Sequence, residues 1–303
     1  MTAVEVQSPP IRAARQGSGA RNETGYEIVG PEDAPVVVAL GGISASRHVR
    51  SWWPDVANAG GAIDLERFRV LGIDYLDGGE ARDGLPERVV TTRDQADAVV
   101  EALDALGVEQ AHAIVGASYG GMVALAFAER HPRRVGQLVV ISAPARAHPI
   151  AVALRSIQRQ IVTLAAASCR AAEGVALARQ LAVTTYRSVE EFGERFDAES
   201  VQSYLRHQGE KFAQRFTAAR YLALSHSCDL HRVDASRITT PALLVAARGD
   251  AIVPLEQMQE LADTLAGPTV LRVTQTFTGH DAFLAEPHAV GSILRNALLN
   301  PLS

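Results

Sequence analysis

Short apolar runs alternate with longer segments of helical periodicity along most of the chain. Each run is rich in Val, Leu, Ile and Ala, which is typical of a strand buried on both faces of a sheet. Helical segments follow these runs, for example at 93–106 and 122–130. The repeated alternation predicts an α/β protein with a mostly parallel sheet flanked by helices. The predicted strands are 36–40, 68–75, 111–115, 137–143, 241–247 and 269–276.

The alternation stops after the fourth predicted strand and resumes before the fifth. Residues 145–232 contain no strand-like run, and their pattern predicts helices at 150–167, 171–181, 189–196, 202–208 and 215–225. We therefore predict a core built from residues 21–144 and 233–303, into which 145–232 are inserted as a helical cap. Residues 1–20 carry paired prolines and a Gly-Ser-Gly stretch, and we expect them to form a mobile tail.

A glycine-flanked serine stands between one predicted strand and the following helix. Gly116, Ser118 and Gly120 form a G-x-S-x-G pattern between the strand 111–115 and the helix 122–130. Strand, sharp turn and helix is the context that a nucleophile elbow requires. Small residues two positions before and after the serine leave room for the crossing backbones. The pattern therefore predicts that Ser118 is a nucleophile.

A serine needs a base within hydrogen-bond reach, and that base needs an orienting acid. Elbow-type sheets carry these groups in the chain order Ser, Asp or Glu, His. Asp250 and His280 come just after the last two predicted strands, at the sheet edge where Ser118 also lies. The sequence predicts a triad of Ser118, Asp250 and His280, and Asp74 is the alternative acid.

The loop after the first buried strand is a candidate oxyanion site. It reads Gly-Gly-Ile-Ser at 41–44, and elbow-type hydrolases take one oxyanion N–H from this loop. Glycine lets the backbone approach a reacting carbonyl closely. A plain strand-ending turn is the alternative interpretation.

Charge distinguishes the cap from the core. The net charge of −5 argues against nucleic acid as the main partner. Residues 145–232, however, contain twelve Arg and Lys but only eight Asp and Glu. The cap therefore has a positive net charge, and the rest of the chain has a strongly negative one. This asymmetry favours an anionic substrate approaching from the cap, and a solvated basic surface is the alternative.

Several classes of protein are disfavoured by what the sequence contains. Cys169 and Cys228 are isolated, so neither a disulfide framework nor a metal site is expected, and a reducing cytoplasm is the simplest location. No apolar run has the length of a membrane span. No glycine-rich phosphate loop follows a strand, so we expect no permanently bound cofactor.

Five motifs resemble the homoserine O-acyltransferases of methionine biosynthesis, which have the α/β-hydrolase fold. The cap and C-terminal motifs are more specific than the elbow, which many unrelated hydrolases share. The motifs are TTRD at 91–94, GASYGGM at 116–122, TTYRS at 184–188, SYLRHQGEKF at 203–212 and GHDAFL at 279–284.

The resemblance implies a ping-pong acyl transfer from an acyl-CoA co-substrate to the hydroxyl of L-homoserine. Ser118 would carry the acyl group, His280 would act as base and then acid, and Asp250 would orient His280. The oxyanion would be bound by backbone N–H groups of Gly42 or Ile43 and of Tyr119. A homodimer formed through the cap helices is also implied.

The resemblance further implies residues that bind the acceptor amino acid. Arg187 would bind its carboxylate, since a planar guanidinium clamps a carboxylate through two hydrogen bonds. Asp281, beside the base, would bind its ammonium. Without the resemblance, Arg187 would be taken for a surface arginine of a basic cap.

Two departures from the common acetyltransferase pattern bear on the donor. Residues 41–46, which read GGISAS, replace the stretch that acetyltransferases usually carry after the first core strand. The segment expected after Tyr75 is shortened to residues 77–86. Both resemble the succinyl-specific branch, whose acyl group has an extra carboxylate. Arg155 and Arg159 are candidates to neutralise that carboxylate. The sequence therefore favours a homoserine O-succinyltransferase.

Four alternatives remain open at the level of sequence. Acetyl-CoA could be the donor, or L-serine the acceptor, because one methylene changes binding by only a few kcal/mol. An esterase would use the same triad but let water deacylate the serine. A non-catalytic receptor would hold a ligand over an idle triad, which the intact Ser118, Asp250 and His280 argue against.

Overall fold

The computed structural model describes residues 4–7, 11–12, 23–82 and 84–302. Its strands are β1 Val4–Gln7, β2 Ile11–Arg12, β3 Glu23–Thr24, β4 Tyr26–Gly30, β5 Val36–Leu40, β6 Ala57–Asn58, β7 Ile63–Asp64, β8 Arg69–Ile73, β9 Ala113–Ala117, β10 Leu138–Ile141, β11 Ala242–Arg248 and β12 Thr269–Gln275. Its helices are α1 Val49–Trp52, α2 Thr92–Ala105, α3 Tyr119–Arg130, α4 Pro149–Ala166, α5 Ala171–Tyr186, α6 Val189–Arg195, α7 Ser200–Ala213, α8 Ala218–Leu230, α9 Leu255–Thr264, α10 Ala282–Ala285 and α11 Pro287–Leu299.

Eight strands form one sheet in the order β1-β4-β8-β5-β9-β10-β11-β12. β4 pairs antiparallel with β1 and β8, and each neighbouring pair from β8 to β12 is parallel. The predicted α/β architecture with a mostly parallel sheet is therefore confirmed. None of the helices in the described part of the chain has the length and hydropathy needed to span a bilayer.

Two stretches of the predicted N-terminal tail are described, and both are strands. β1 extends the main sheet, and β2 pairs antiparallel with β3. Pairing of these two stretches does not test mobility, so the mobile tail stays a prediction. The rest of residues 1–20 lies outside the described residues.

The core lies on both faces of the sheet because successive residues of each strand point to opposite faces. In β5, Val38 and Leu40 join the apolar cluster that contains α2 and α3, whereas Val37 and Ala39 join the cluster that contains α11. Burying one such Val or Leu side chain fully contributes about 1.5–3 kcal/mol. Two covered faces explain why the strands are continuously apolar instead of alternating.

Five helices, α4 to α8, lie between β10 and β11, where the sequence predicts five helical segments. The chain enters and leaves this segment at one point. There Arg146 and Arg232 form an isolated bridge, and Val233 N donates to Ala145 O at 3.0 Å. The cap helices are therefore joined to the sheet by two adjacent chain segments.

Candidate active site

The strand-to-helix turn after β9 carries Ser118 in the left-handed region of backbone conformation, with φ of 53° and ψ of −119°. The flanking glycines are required sterically. An added Cβ on Gly116 would overlap the Gly120 carbonyl, and one on Gly120 would overlap the Leu40 carbonyl. Gly120 N in turn donates to Gly41 O at 2.9 Å, which ties the turn to the loop after β5. The turn therefore has the geometry of a nucleophile elbow.

A continuous hydrogen-bonded chain links the three residues that the sequence predicts as a triad. Ser118 Oγ lies 2.8 Å from His280 Nε2, and His280 Nδ1 lies 2.7 Å from Asp250 Oδ2. A carboxylate can only accept, so Nδ1–H donates to Asp250 and Nε2 is left to accept from the serine hydroxyl. The other oxygen, Asp250 Oδ1, accepts from the backbone N–H groups of Ile252 and Val253, each at 2.8 Å. The Asp250 carboxylate is therefore held by two backbone N–H groups while it contacts the His280 ring.

The charge state of His280 depends on two opposing effects. Burial alone would lower the pKa of His280, because it disfavours the charged imidazolium. The negative charge and the hydrogen bond of Asp250, with a further contribution from Asp281, outweigh burial and raise that pKa above its usual value. The surroundings of His280 therefore favour its charged imidazolium form.

The alternative acid, Asp74, lies outside this chain. Its Oδ1 accepts from Arg47 N at 2.9 Å, and its Oδ2 lies 3.4 Å from Arg47 Nη1. Asp74 therefore forms a structural ion pair with Arg47.

The loop that carries His280 is held by two side chains, Glu286 and Ser188, whose contacts with it were not predicted. Glu286 Oε1 accepts from Phe277 N, Thr278 N and Thr278 Oγ1 at 2.7–2.9 Å. From the cap, Ser188 Oγ donates to Phe277 O. The cap and the start of α11 therefore both contribute to the position of His280.

Backbone N–H groups suited to an oxyanion converge beside Ser118. Gly42, Ile43 and Tyr119 all line the same cavity as Ser118. Within the described part of the chain, their N–H groups have no hydrogen-bond acceptor. A buried hydrogen bond from Tyr75 Oη to Gly41 O, at 2.7 Å, holds the start of the loop 41–44. Preorganised donors of this kind stabilise the charge that develops in acyl transfer.

The cavity that contains Ser118 and His280 has a volume of about 420 Å³. Its lining combines the core loop 42–46 with residues of the cap. Among the lining residues the acidic one is Asp281, and the arginine and lysine residues all come from the cap. Those basic residues are Arg155, Arg179, Lys211 and Arg215. The cavity is therefore electropositive on its cap side.

Arg187 and Asp281 form an ion pair, with 3.3 Å between Arg187 Nε and Asp281 Oδ2. Arg187 Nη1 also donates to Oε1 of the buried Glu191 at 2.6 Å. The same Oε1 accepts from Arg195 Nη1 at 3.1 Å. Asp281 lines the cavity beside His280, whereas Arg187 lies behind it and is not among the lining residues. Burial raises the pKa of the Asp281 carboxyl, although the charges of Arg187 and His280 oppose the rise.

The two candidate acyl-specificity arginines differ in position. Both contact Asp229: Arg155 Nε lies 2.6 Å from Oδ1, and Arg159 Nη2 lies 2.6 Å from Oδ2. Arg155 lines the cavity, and its Nη2 is buried without a hydrogen-bond partner among the described residues. Arg159 is not part of the cavity lining and also donates to Ser225 O. The geometry therefore favours Arg155 over Arg159 as a cavity contact.

Sequence reasoning missed Arg179 and Arg215 as cavity residues. Arg179 stacks on the rings of Tyr186 and Phe212, at 5.6 and 5.0 Å from their centroids. Arg215 comes four residues after Lys211, which stands in one of the recognised motifs. Arg215 lies beyond the end of α7, which closes at Ala213, so helical spacing from Lys211 did not indicate it.

Comparison with known proteins agrees with this geometry. A model of the α/β-hydrolase fold family matches residues 35–287. The homoserine O-succinyltransferase of Xanthomonas campestris pv. campestris is 42% identical over 291 residues, covering 90% of this chain and 78% of that protein. A homoserine O-acetyltransferase of Mycobacterium sp. (strain KMS) is 31% identical over 321 residues, covering 88% of this chain and 86% of that protein.

A solved structure supports the fold independently of sequence. The crystal structure of a homoserine O-acetyltransferase from Staphylococcus aureus matches with a TM-score of 0.83 and 24% identity, covering 100% of this chain and 96% of that one. At this identity the likeness concerns the fold alone. Together with the sequence relatives, it shows that the chain belongs to the α/β-hydrolase fold family and, within it, to the homoserine O-acyltransferases.

Proposed function

We propose that this protein is a homoserine O-succinyltransferase that works through a succinyl-Ser118 intermediate. The observation that carries the proposal is the hydrogen-bonded chain Ser118–His280–Asp250 in the wall of a cavity that Arg155 also lines. The 42% identity to a homoserine O-succinyltransferase supports the same choice of donor and acceptor.

In the first half-reaction, Ser118 Oγ attacks the thioester carbonyl of succinyl-CoA while His280 Nε2 takes the hydroxyl proton. Negative charge develops on the carbonyl oxygen, and the N–H groups of Tyr119 and of Gly42 or Ile43 stabilise it. The C–S bond then breaks, the proton passes from His280 to the sulfur, and CoA leaves. Asp250 keeps the imidazole oriented and its positive form stabilised throughout.

In the second half-reaction, the homoserine hydroxyl attacks the acyl-serine ester while His280 takes its proton. The ester bond to Ser118 breaks, and His280 returns the proton to Oγ. The acceptor is a zwitterion, so its carboxylate is matched by Arg187 and its ammonium by Asp281. The ion pair between these two side chains is exchanged for two ion pairs with the acceptor, which leaves the charge balance of the site unchanged.

Arg155 supplies the preference for a succinyl donor. Arg155, Arg159 and Asp229 together carry one net positive charge, which a distal carboxylate on the acyl group would neutralise. The buried Nη2 of Arg155 would gain the hydrogen-bond partner that it otherwise lacks among the described residues. We expect Arg155→Gln to lower the ratio of kcat/KM for succinyl-CoA over acetyl-CoA by about tenfold or more. Arg146→Gln, which removes a surface pair with Glu260, serves as the matched control.

A panel of donors and acceptors tests the proposal. Succinyl-CoA and acetyl-CoA are each combined with homoserine, with serine and with no acceptor, and CoA release and product are measured. We expect the highest kcat/KM for succinyl-CoA with homoserine. Preference for acetyl-CoA or for serine would replace the proposal by the corresponding alternative transferase. CoA release that does not respond to homoserine, together with turnover of simple esters, would indicate an esterase.

Intact-protein mass spectrometry distinguishes an active enzyme from a non-catalytic receptor. Succinyl-CoA without acceptor should add one succinyl group, located on the peptide that contains Ser118, and Ser118→Ala should show none. Absence of an adduct with either acyl-CoA would contradict the proposed intermediate.

Three further proposals concern organisation. The adjacent chain segments at 145 and 233 support division into a core of 21–144 and 233–303 and a cap of 145–232. Exposed apolar residues at seven-residue spacing on α4, Ile150, Ile157 and Leu164, support a homodimer through the cap, which light scattering would test. The two free cysteines fit a reducing cytoplasm.

A further inference from the structure

Some cap cations have no carboxylate partner among the described residues, and most of these face the catalytic cavity. Many cap arginines are neutralised in ion pairs, as Arg155 is by Asp229 and Arg220 by Asp77. Five cap cations form no such pair with described residues. Three of them, Arg179, Lys211 and Arg215, line the cavity that contains Ser118, whereas Arg206 and Arg232 do not.

Position divides these three cations into an inner and an outer group. Arg179 is half-buried and stacks on Tyr186 and Phe212. Lys211 and Arg215 are exposed, at and just beyond the C-terminal end of α7, yet they still line the cavity. The outer pair therefore stands where the cavity meets solvent.

We propose that Lys211 and Arg215 form an anion site at the rim of the cavity that binds the phosphate groups of acyl-CoA. The inference rests on the proposed function, which requires a ligand with its reactive thioester at Ser118. In such a ligand an uncharged pantetheine arm separates the thioester from the phosphates, so its negative charge lies far from the nucleophile. Exposed cations in the wall of the same cavity match that distribution of charge.

Two alternative roles for Lys211 and Arg215 do not explain both their exposure and their position in the cavity wall. Cations near a helix C-terminus interact favourably with the helix dipole, but that effect does not require them to line a cavity. Binding of the succinyl carboxylate is the second alternative, but Arg155 is buried deeper and has a hydrogen-bonding group without a partner among the described residues. Phosphate recognition accounts for both the exposure and the position of the outer pair.

A truncated donor separates these three roles. The double variant Lys211→Ala/Arg215→Ala is compared with the wild type using succinyl-CoA, acetyl-CoA and the succinyl thioester of N-acetylcysteamine, which lacks phosphates. We expect KM to rise about tenfold for both CoA donors and to stay unchanged for the truncated thioester. A defect that persists with the truncated succinyl donor and disappears with acetyl-CoA would assign the pair to the succinyl carboxylate and overturn the proposal.

Controls use the same helix and the same charges. Arg206→Ala removes an exposed cation of α7 that is not in the cavity lining, and it should leave all three KM values unchanged. Lys211→Arg with Arg215→Lys should restore most of the affinity for CoA donors. Raising the salt concentration should raise KM for succinyl-CoA in the wild type and much less in the double variant.

Lys211 is the only lysine of the chain, which allows a test that needs no turnover. Reductive methylation of the wild-type protein is followed by mass spectrometry with and without free CoA. CoA should protect the Lys211 peptide and leave the α-amino group reactive. Protection here with failed transfer to homoserine would support the anion site while contradicting the proposed function. No protection, or loss of CoA affinity in Arg206→Ala as large as in the double variant, would overturn the anion site.

Discussion

Arg187 and Asp281, which the family resemblance implies would bind opposite ends of the acceptor amino acid, are bound to each other, with Nε 3.3 Å from Oδ2. Both side chains are largely buried, with 18% and 15% of their surface exposed. An uncompensated charge in such a position is costly, so removing either partner affects the other. A substitution of either residue therefore leaves the other with a buried charge that has lost one partner.

Arg187→Ala should impair the second half-reaction more than the first. We expect KM for homoserine to rise roughly 100-fold, because a charge-assisted contact to the carboxylate is lost. The CoA released in a single acylation of Ser118 should change little. Arg195→Ala is the matched control, since Arg195 shares Glu191 with Arg187 but is half-exposed and does not contact Asp281. An unchanged dependence on acceptor concentration in Arg187→Ala would contradict the assignment.

Asp250→Asn should alter both the rate and its pH dependence. The base must be neutral, so activity of the wild type should rise with pH through the raised pKa of His280. Without the carboxylate, burial dominates and lowers that pKa, so the rising limb should move to lower pH. The maximal rate should fall roughly 10³–10⁴-fold, because the imidazole loses its orientation and the stabilisation of its charged form.

The matched control for Asp250 is Asp74→Asn, which changes the alternative acid bound to Arg47. In this variant, activity should rise with pH over the same range as in the wild type. If that range moved in Asp74→Asn and stayed unchanged in Asp250→Asn, Asp74 would be the acid instead of Asp250.

Gly120→Ala should destabilise the fold itself. The added methyl group would overlap the backbone carbonyl of Leu40, which is held in the central sheet and cannot shift cheaply. We expect a loss of at least about 3 kcal/mol in the free energy of unfolding, measured by urea denaturation. Gly193→Ala, in the exposed helix α6 with nothing near the new methyl, should instead gain up to about 1 kcal/mol. Equal effects of the two substitutions would contradict the packing argument.

His231 should make the protein sensitive to mild acid. Both ring nitrogens are occupied, Nδ1 by Thr92 Oγ1 at 2.9 Å and Nε2 by Pro144 O at 3.1 Å. Burial lowers the pKa of His231 from 6.5 to about 3. The folded-state pKa lies below the unfolded one, so the stabilisation is complete above pH 6.5 and is lost as the pH falls from there towards 3.

The corresponding measurement is urea denaturation at several pH values. Between pH 6.5 and pH 5 this histidine should remove about 2 kcal/mol of stability. His231→Gln should be less stable at neutral pH, because the buried hydrogen bonds change, but its stability should depend less on pH. The same pH slope in both proteins would assign the acid sensitivity to other groups.

Local patterns made much of the site predictable. The elbow depends on residues within one strand, one turn and one helix, so Gly116, Ser118 and Gly120 could be recognised from their spacing. Asp250 and His280 follow strands whose order determines the sheet edge. The acceptor and acyl-specificity roles stay predictions, because no contact in the chain alone tests them.

Side-chain contacts between distant segments could not be predicted. Nothing local indicates that Arg187 pairs with Asp281, or that Glu286 accepts three hydrogen bonds from the residues before His280. Arg155 and Arg159 lie about one turn apart on α4, and packing against α8 decides which of them reaches the cavity. The start of α2 also differs by one residue from the predicted helix at 93–106. Thr91 forms the capping box with Asp94, so Thr92 is already helical, and its side chain binds His231.

The insertion of the cap between β10 and β11 has a consequence for the order of folding. Ser118 and His280 are separated by 162 positions, and the pairing of Leu138 with Ala242 must close a loop that contains all five cap helices. Closing a long loop costs conformational entropy before the contacts compensate for it, so such pairings tend to form late. A chain whose last strands have not yet docked holds a serine without its base. Any activity that needs both Ser118 and His280 therefore requires the last strands to dock, and recovery of that activity on refolding measures completion of the whole fold.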